Sequence, residues 1–133
     1  MATLQITQPK ESTDIKSNRD CMIRAIALAT GKPYSQVHQL LYKHGWRATR
    51  GSSKTHWVYQ MEQTLTDLGF IHQRHYYPAT KGKKRMTAHT MPTDKVYILR
   101  MAKHVACLDN GVLLDTWDSR NKCVYVAWEV VKV

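Results

Sequence analysis

The chain has 133 residues, with twenty Lys and Arg against ten Asp and Glu, which gives a formal net charge of +10 with the histidines neutral. At 43% hydrophobic and 23% charged residues, it has the composition of one globular domain and not of a disordered, collagenous or coiled-coil chain. No window approaches the roughly eighteen uninterrupted apolar residues of a membrane span, and MATLQITQPKEST lacks the pattern of a secretory signal, so a cytoplasmic protein without membrane contact is expected.

Residues 1–17 are polar, contain Pro9 and show no sustained periodicity, so they read as a surface arm able to add one edge strand. From Cys21 to Ala29 the sequence CMIRAIALA is apolar nearly all round apart from Arg24, the pattern of a helix buried on most faces. Gly31 and Pro33 end it. Ser35 to His44 fits a second helix, capped by Ser35, with Val37, Leu40 and Leu41 as its apolar stripe and Gly45 beyond its end. After the basic loop WRATRGSSK, a third helix fits Thr55 to Leu68, with Val58, Met61, Leu65 and Leu68 on one face and Gly69 as its stop.

The period then changes. Phe70 to Tyr77, Lys95 to Met101, His104 to Leu108, Val112 to Trp117 and Cys123 to Val131 are runs rich in Val, Ile, Tyr and Trp, which favour strands. Between the first two, Pro78 to Asp94 carries Lys81, Lys83, Lys84 and Arg85 with no acid before Asp94, and reads as a mobile basic loop able to touch phosphates. Helices first and strands afterward predict an α+β domain with an antiparallel sheet, because the later connections are too short for crossover helices.

Three cysteines, Cys21, Cys107 and Cys123, are too few for a disulfide framework, and no C-x-x-C pair is present. Cys21 opens the buried helix directly after Asn18, Arg19 and Asp20, where Asn18 or Asp20 can cap. A thiol in a first helical turn meets the positive end of the helix dipole and unpaired amides, which favour the thiolate and can hold an oxyanion. A nearby Asp20 carboxylate would oppose this.

A nucleophilic cysteine needs a base. Of the seven histidines, His104 opens a strand that leads through Asp109-Asn110-Gly111 into the next, and Asn-Gly between apolar strands is a strong hairpin signal. With Asn110 and Gly111 as turn residues, His104 faces Trp117, and Asp115 lies on the same face one diagonal step away, while Asp118 points to the other. A turn at Asp109-Asn110 would set His104 directly against Asp115, and a three-residue loop would break the relation. Cys107, three residues from His104, faces the opposite side and reads as core. The histidines show no metal-ligand spacing, so no metal or other cofactor is implied. Trp57, Trp117 and Trp128 read as core or groove wall, with Trp117 able to line a cleft.

The segments NRDCMIRAIALATGKPYSQVHQLL and HVACLDNGVLLDTWDS together resemble the compact papain-like cysteine peptidase superfamily, in particular the branch near bacteriocin-leader peptidases and small uncharacterised phage proteins. The resemblance implies a papain-like fold whose central helix starts at the cysteine and whose histidine lies on the sheet. It also implies a phage or bacterial thiol hydrolase with Cys21 as nucleophile, His104 as general base and then acid, and Asp115 as the residue that orients the imidazole, with Asp118 as the alternative. The family's oxyanion glutamine lies about six residues before the cysteine, a position held here by Ile15. Asn18 is the candidate substitute, with the Cys21 amide as second donor. The expected partner is a protein or peptide substrate, acidic by charge complementarity. The competing expectation is an inactive scaffold that binds nucleic acid or a host or virion protein through its basic loops.

Overall fold

A computed structural model describes residues 1–7, 9, 20–47, 56–77 and 85–132. Among these residues the helices are α1 (Cys21–Thr30), α2 (Tyr34–Lys43) and α3 (Trp57–Asp67). The strands are β1 (Thr3–Ile6), β2 (Phe70–Tyr76), β3 (Val96–Met101), β4 (His104–Asp109), β5 (Val112–Asp115) and β6 (Val124–Lys132). The strands form one sheet in the order β1-β5-β4-β3-β6-β2. The class is α+β, but the sheet is mixed. Four pairings are antiparallel, whereas β1, from the N-terminal arm, lies parallel to β5. Short connections dictate hairpins only among strands adjacent in sequence, and β1 reaches its partner from the far end of the chain.

Burial on both faces explains why the strand residues read as nearly continuous apolar runs. On one side Ile98, Val105, Val126, Trp128 and Val130 pack against all three helices. On the other, Leu99, Met101, Ala106, Leu108 and Leu113 pack against Ala2, Ala88 and Met91. Of the stretch expected as a mobile loop over 78–94, the described residues 85–94 include a segment held against the sheet. Ala88–Thr90 form a 3-10 turn closed by reciprocal Thr87 and Thr90 bonds, and Ala88 and Met91 are buried. These two apolar side chains anchor the segment to the sheet.

Helix α1 carries its buried residues Met22, Ile23, Ala25, Ile26 and Ala27 on most of its circumference and ends at Gly31, whose left-handed φ of 70° lets its amide return to the Ala27 carbonyl. Its start is held by a buried charge pair and not by a side-chain cap: the Asp20 carboxylate pairs with Arg24 and accepts the Tyr34 hydroxyl at 2.9 Å. Ser35 lies inside the first turn of α2 instead of capping it, because Pro33 occupies the cap position. No helix among the described residues is long and apolar enough to cross a membrane.

Candidate active site

The geometry of the site begins with the β4–β5 hairpin. Asp109 pairs with Val112, Leu108 with Leu113 and Cys107 with Leu114. Asn110 and Gly111 are thus the two turn residues, and both have positive φ, 48° and 85°, as the tight turn matching strand twist requires. This register carries Asp115 to the diagonal of His104. The imidazole Nε2 lies 2.6 Å from Asp115 Oδ2, and both side chains are buried. Strand β5 ends at Asp115, short of the expected Trp117. The Trp117 ring still lies 4.9 Å from the imidazole, tilted by 46°, and remains 43% exposed.

Asp115 is fixed from three sides. Oδ2 also accepts the Ser119 hydroxyl at 2.6 Å, and Oδ1 accepts the Thr116 amide at 2.7 Å. A carboxylate with three donors has little rotational freedom, so the imidazole it holds is fixed too. Asp118 is elsewhere: it forms a two-pronged pair with Arg120, 2.8 Å at each contact, which holds its carboxyl down at about 2. That pairing removes Asp118 as the alternative partner of His104.

Cys21 stands at the first position of α1, where the His104 side chain and the Val105 backbone both favour its thiolate. With Nε2 committed to Asp115, Nδ1 is the imidazole nitrogen left for the thiol. Burial pushes the Cys21 thiol up, but the hydrogen bond and charge of His104, the Val105 amide and the Arg24 cation outweigh it, leaving its pKa below the ordinary thiol value. Burial pushes His104 down, but Asp115 and Cys21 outweigh that and raise the imidazole to about 9. Both shifts favour thiolate and imidazolium together. Asp20, which from sequence threatened the thiolate, is neutralised by Arg24.

Cys107 is fully buried and its thiol is pushed far up by burial, the opposite of Cys21. Asn18, Lys81, Lys83 and Lys84 lie outside the described residues. Arg85 is exposed. His44 pairs with Asp67 at 2.8 Å, His72 with the Thr66 hydroxyl at 3.2 Å, and His75 lies 3.8 Å from Glu129.

Sequence reasoning missed three contributors. Ser119 follows Asp115 in a turn with no periodic signature. The Val105 amide carries no side-chain signal at all. Arg100 did leave one, as the lone cation in the apolar strand VYILRM. Its Nη1 donates to the carbonyls of Met101 at 2.6 Å and His104 at 3.4 Å, the two residues that close the β3–β4 turn.

No family model, no curated protein and no solved structure matches the chain.

Proposed function

We propose that the chain is a small papain-like cysteine hydrolase that cleaves a peptide, isopeptide or related amide. The observation that supports this reading is the hydrogen-bonded series His104–Asp115–Ser119 beside Cys21, whose thiolate the His104 imidazole favours. In it, a thiolate at a helix start faces an imidazolium whose second nitrogen is fixed by a locked carboxylate.

The chemistry follows from that arrangement. Cys21 Sγ attacks the substrate carbonyl carbon, and the carbonyl π electrons move to oxygen, where the Cys21 amide in the first turn of α1 can donate to the oxyanion. Collapse expels the amine, which takes the proton carried by His104, and leaves a thioester on Cys21. Water then attacks the thioester as His104 accepts its proton, and a second collapse releases the acid and regenerates the thiolate with imidazolium. An amine in place of water would make the same site a transferase. No step calls for a cofactor.

The test is p-nitrophenyl acetate with intact-protein mass measurement. A hydrolase forms an acetyl thioester on Cys21 and turns it over, and Cys21→Ala and His104→Ala both abolish turnover. A stable acetyl adduct that water never clears, or turnover that survives Cys21→Ala, contradicts the reading.

The net charge of +10 favours a second reading, a basic module that binds nucleic acid or an acidic protein surface. It predicts association that weakens steeply with salt and persists in Cys21→Ala.

A further inference from the structure

Arg100 is a half-buried cation that pairs with no acid among the described residues. It lies two residues after Ile98 on β3 and shares that residue's helix-facing side of the sheet. Its guanidinium stacks 5.0 Å from the centroid of Trp57, the first residue of α3. Trp57 in turn meets Trp128 edge to face at 5.4 Å, and the Trp128 indole N–H donates to Glu62 at 2.9 Å. Aromatic stacking and two backbone carbonyls thus fix the fork in place, while among the described residues no carboxylate pairs with it. Cations removed from water are normally matched by an opposite charge. Arg100 Nη1 reaches the His104 carbonyl at 3.4 Å, beside the site, and the Cys21 charge favours its cation. Arg100 also sits opposite Val105 in the β3–β4 ladder, the residue whose backbone favours the Cys21 thiolate.

The strand pattern changes at the same point. The β3–β6 register shifts between Arg100 and Met101: Arg100 pairs with Val126 and Met101 with Val124. Tyr125 is left without a β3 partner there, and its carbonyl accepts the Tyr77 amide on the β2 side. The extra residue belongs to β6, so it is β6 that bends beside Arg100.

We infer that Arg100, backed by Trp57, is a carboxylate anchor of the active site, so that the substrate is an amide bearing a carboxylate next to the bond Cys21 attacks. A planar guanidinium with one nitrogen spent on backbone carbonyls keeps other donors for a fork-to-carboxylate contact, and the Trp57 face holds it without neutralising it. The inference rests on the hydrolase reading and adds a substrate class to it. The carboxylate belongs either to a chain terminus or to an acidic side chain.

The experiment compares alkylation of Cys21 by 3-bromopropionate with that by 3-bromopropionamide, and by iodoacetate with iodoacetamide, at constant ionic strength. The acid-to-amide ratio cancels any effect on the thiolate itself. The anchor predicts a saturable preference for the acid in the wild type, and Arg100→Gln lowers the ratio by about tenfold or more, the worth of one charge-assisted hydrogen bond. A ratio that Arg100→Gln leaves unchanged, or a variant that slows acid and amide equally, overturns the anchor.

Protection of wild-type Cys21 from iodoacetamide needs no variant. N-acetylglycine offers a terminal carboxylate and N-acetylaspartic acid α-amide a side-chain one; whichever protects identifies the source, and protection by neither overturns the proposal. Slow iodoacetamide labelling of Cys21 at neutral pH would remove the hydrolase reading and the anchor together, whereas fast labelling with no acid preference removes the anchor alone.

Discussion

Asp115 accepts bonds from His104, Ser119 and the Thr116 amide, and this determines what the imidazole can do. In the proposed mechanism, turnover needs thiolate and imidazolium at once. Its rate rises with pH through the lowered Cys21 pKa, below the ordinary 9.0, and falls as pH passes about 9, where His104 loses the proton destined for the leaving group. Asp115→Asn removes the partner that raises His104, so the descending limb moves to lower pH, and turnover at pH 7 drops on the order of a hundredfold or more. A pH–rate profile of ester hydrolysis in both proteins checks this. Ser119→Ala leaves the carboxylate in place with one donor fewer, and a smaller shift in the same direction is expected.

At the scale of elements, two local structures carry the site. The start of α1 depends on Asp20, which is 2% exposed. Arg24→Met leaves that carboxylate unpaired and costs about 3–5 kcal/mol, as breaking one side of a buried pair does. Tyr34→Phe removes a single hydrogen bond to the same group and costs about 1–3 kcal/mol. Urea unfolding of both variants tests the order. The hairpin depends on Gly111, whose φ is +85° and whose missing Cβ would meet the Cβ and Cγ2 of Thr93 at 3.0 Å. Gly111→Ala costs about 1–2 kcal/mol from backbone conformation alone. The contact with Thr93 adds to that, and because the turn sets the diagonal between His104 and Asp115, Cys21 labelling slows as well. An unchanged melting temperature would contradict this account of the turn.

At the scale of the molecule, β1 protects the edge on which Asp115 sits. The Thr3 amide donates to the Gly111 carbonyl at 3.0 Å and the Thr7 amide to the Asp115 carbonyl at 2.8 Å, clamping both ends of the four-residue β5. Removing residues 1–7 exposes that edge and uncovers the face to which Ala2 packs. A lower melting temperature and faster amide exchange in β5 are expected, and exchange unchanged in β5 would contradict the clamp.

The same difference of scale explains what the sequence made legible. Helix α1, the strand runs and the two-residue turn rest on local periodicity and turn chemistry, and the turn alone brings His104 to Asp115. The parallel β1–β5 pairing and the burial of Ala88 and Met91 depend on contacts between distant segments, for which one sequence carries no period. Ser119 and the Val105 amide act through geometry that no residue pattern announces. Arg100 is the lone cation of an apolar strand, a signal the sequence reading left unused, and its neighbours Trp57 and Cys21 come from two other elements.

The central claim is that Cys21 and His104 share a proton as thiolate and imidazolium. The pH dependence of iodoacetamide labelling, mapped to each cysteine in the wild type and in His104→Ala, tests it directly. The account predicts that Cys21 labels faster than Cys107 and Cys123 well below pH 8 and that His104→Ala abolishes this advantage. Slow and equal labelling of all three thiols in both proteins would contradict it.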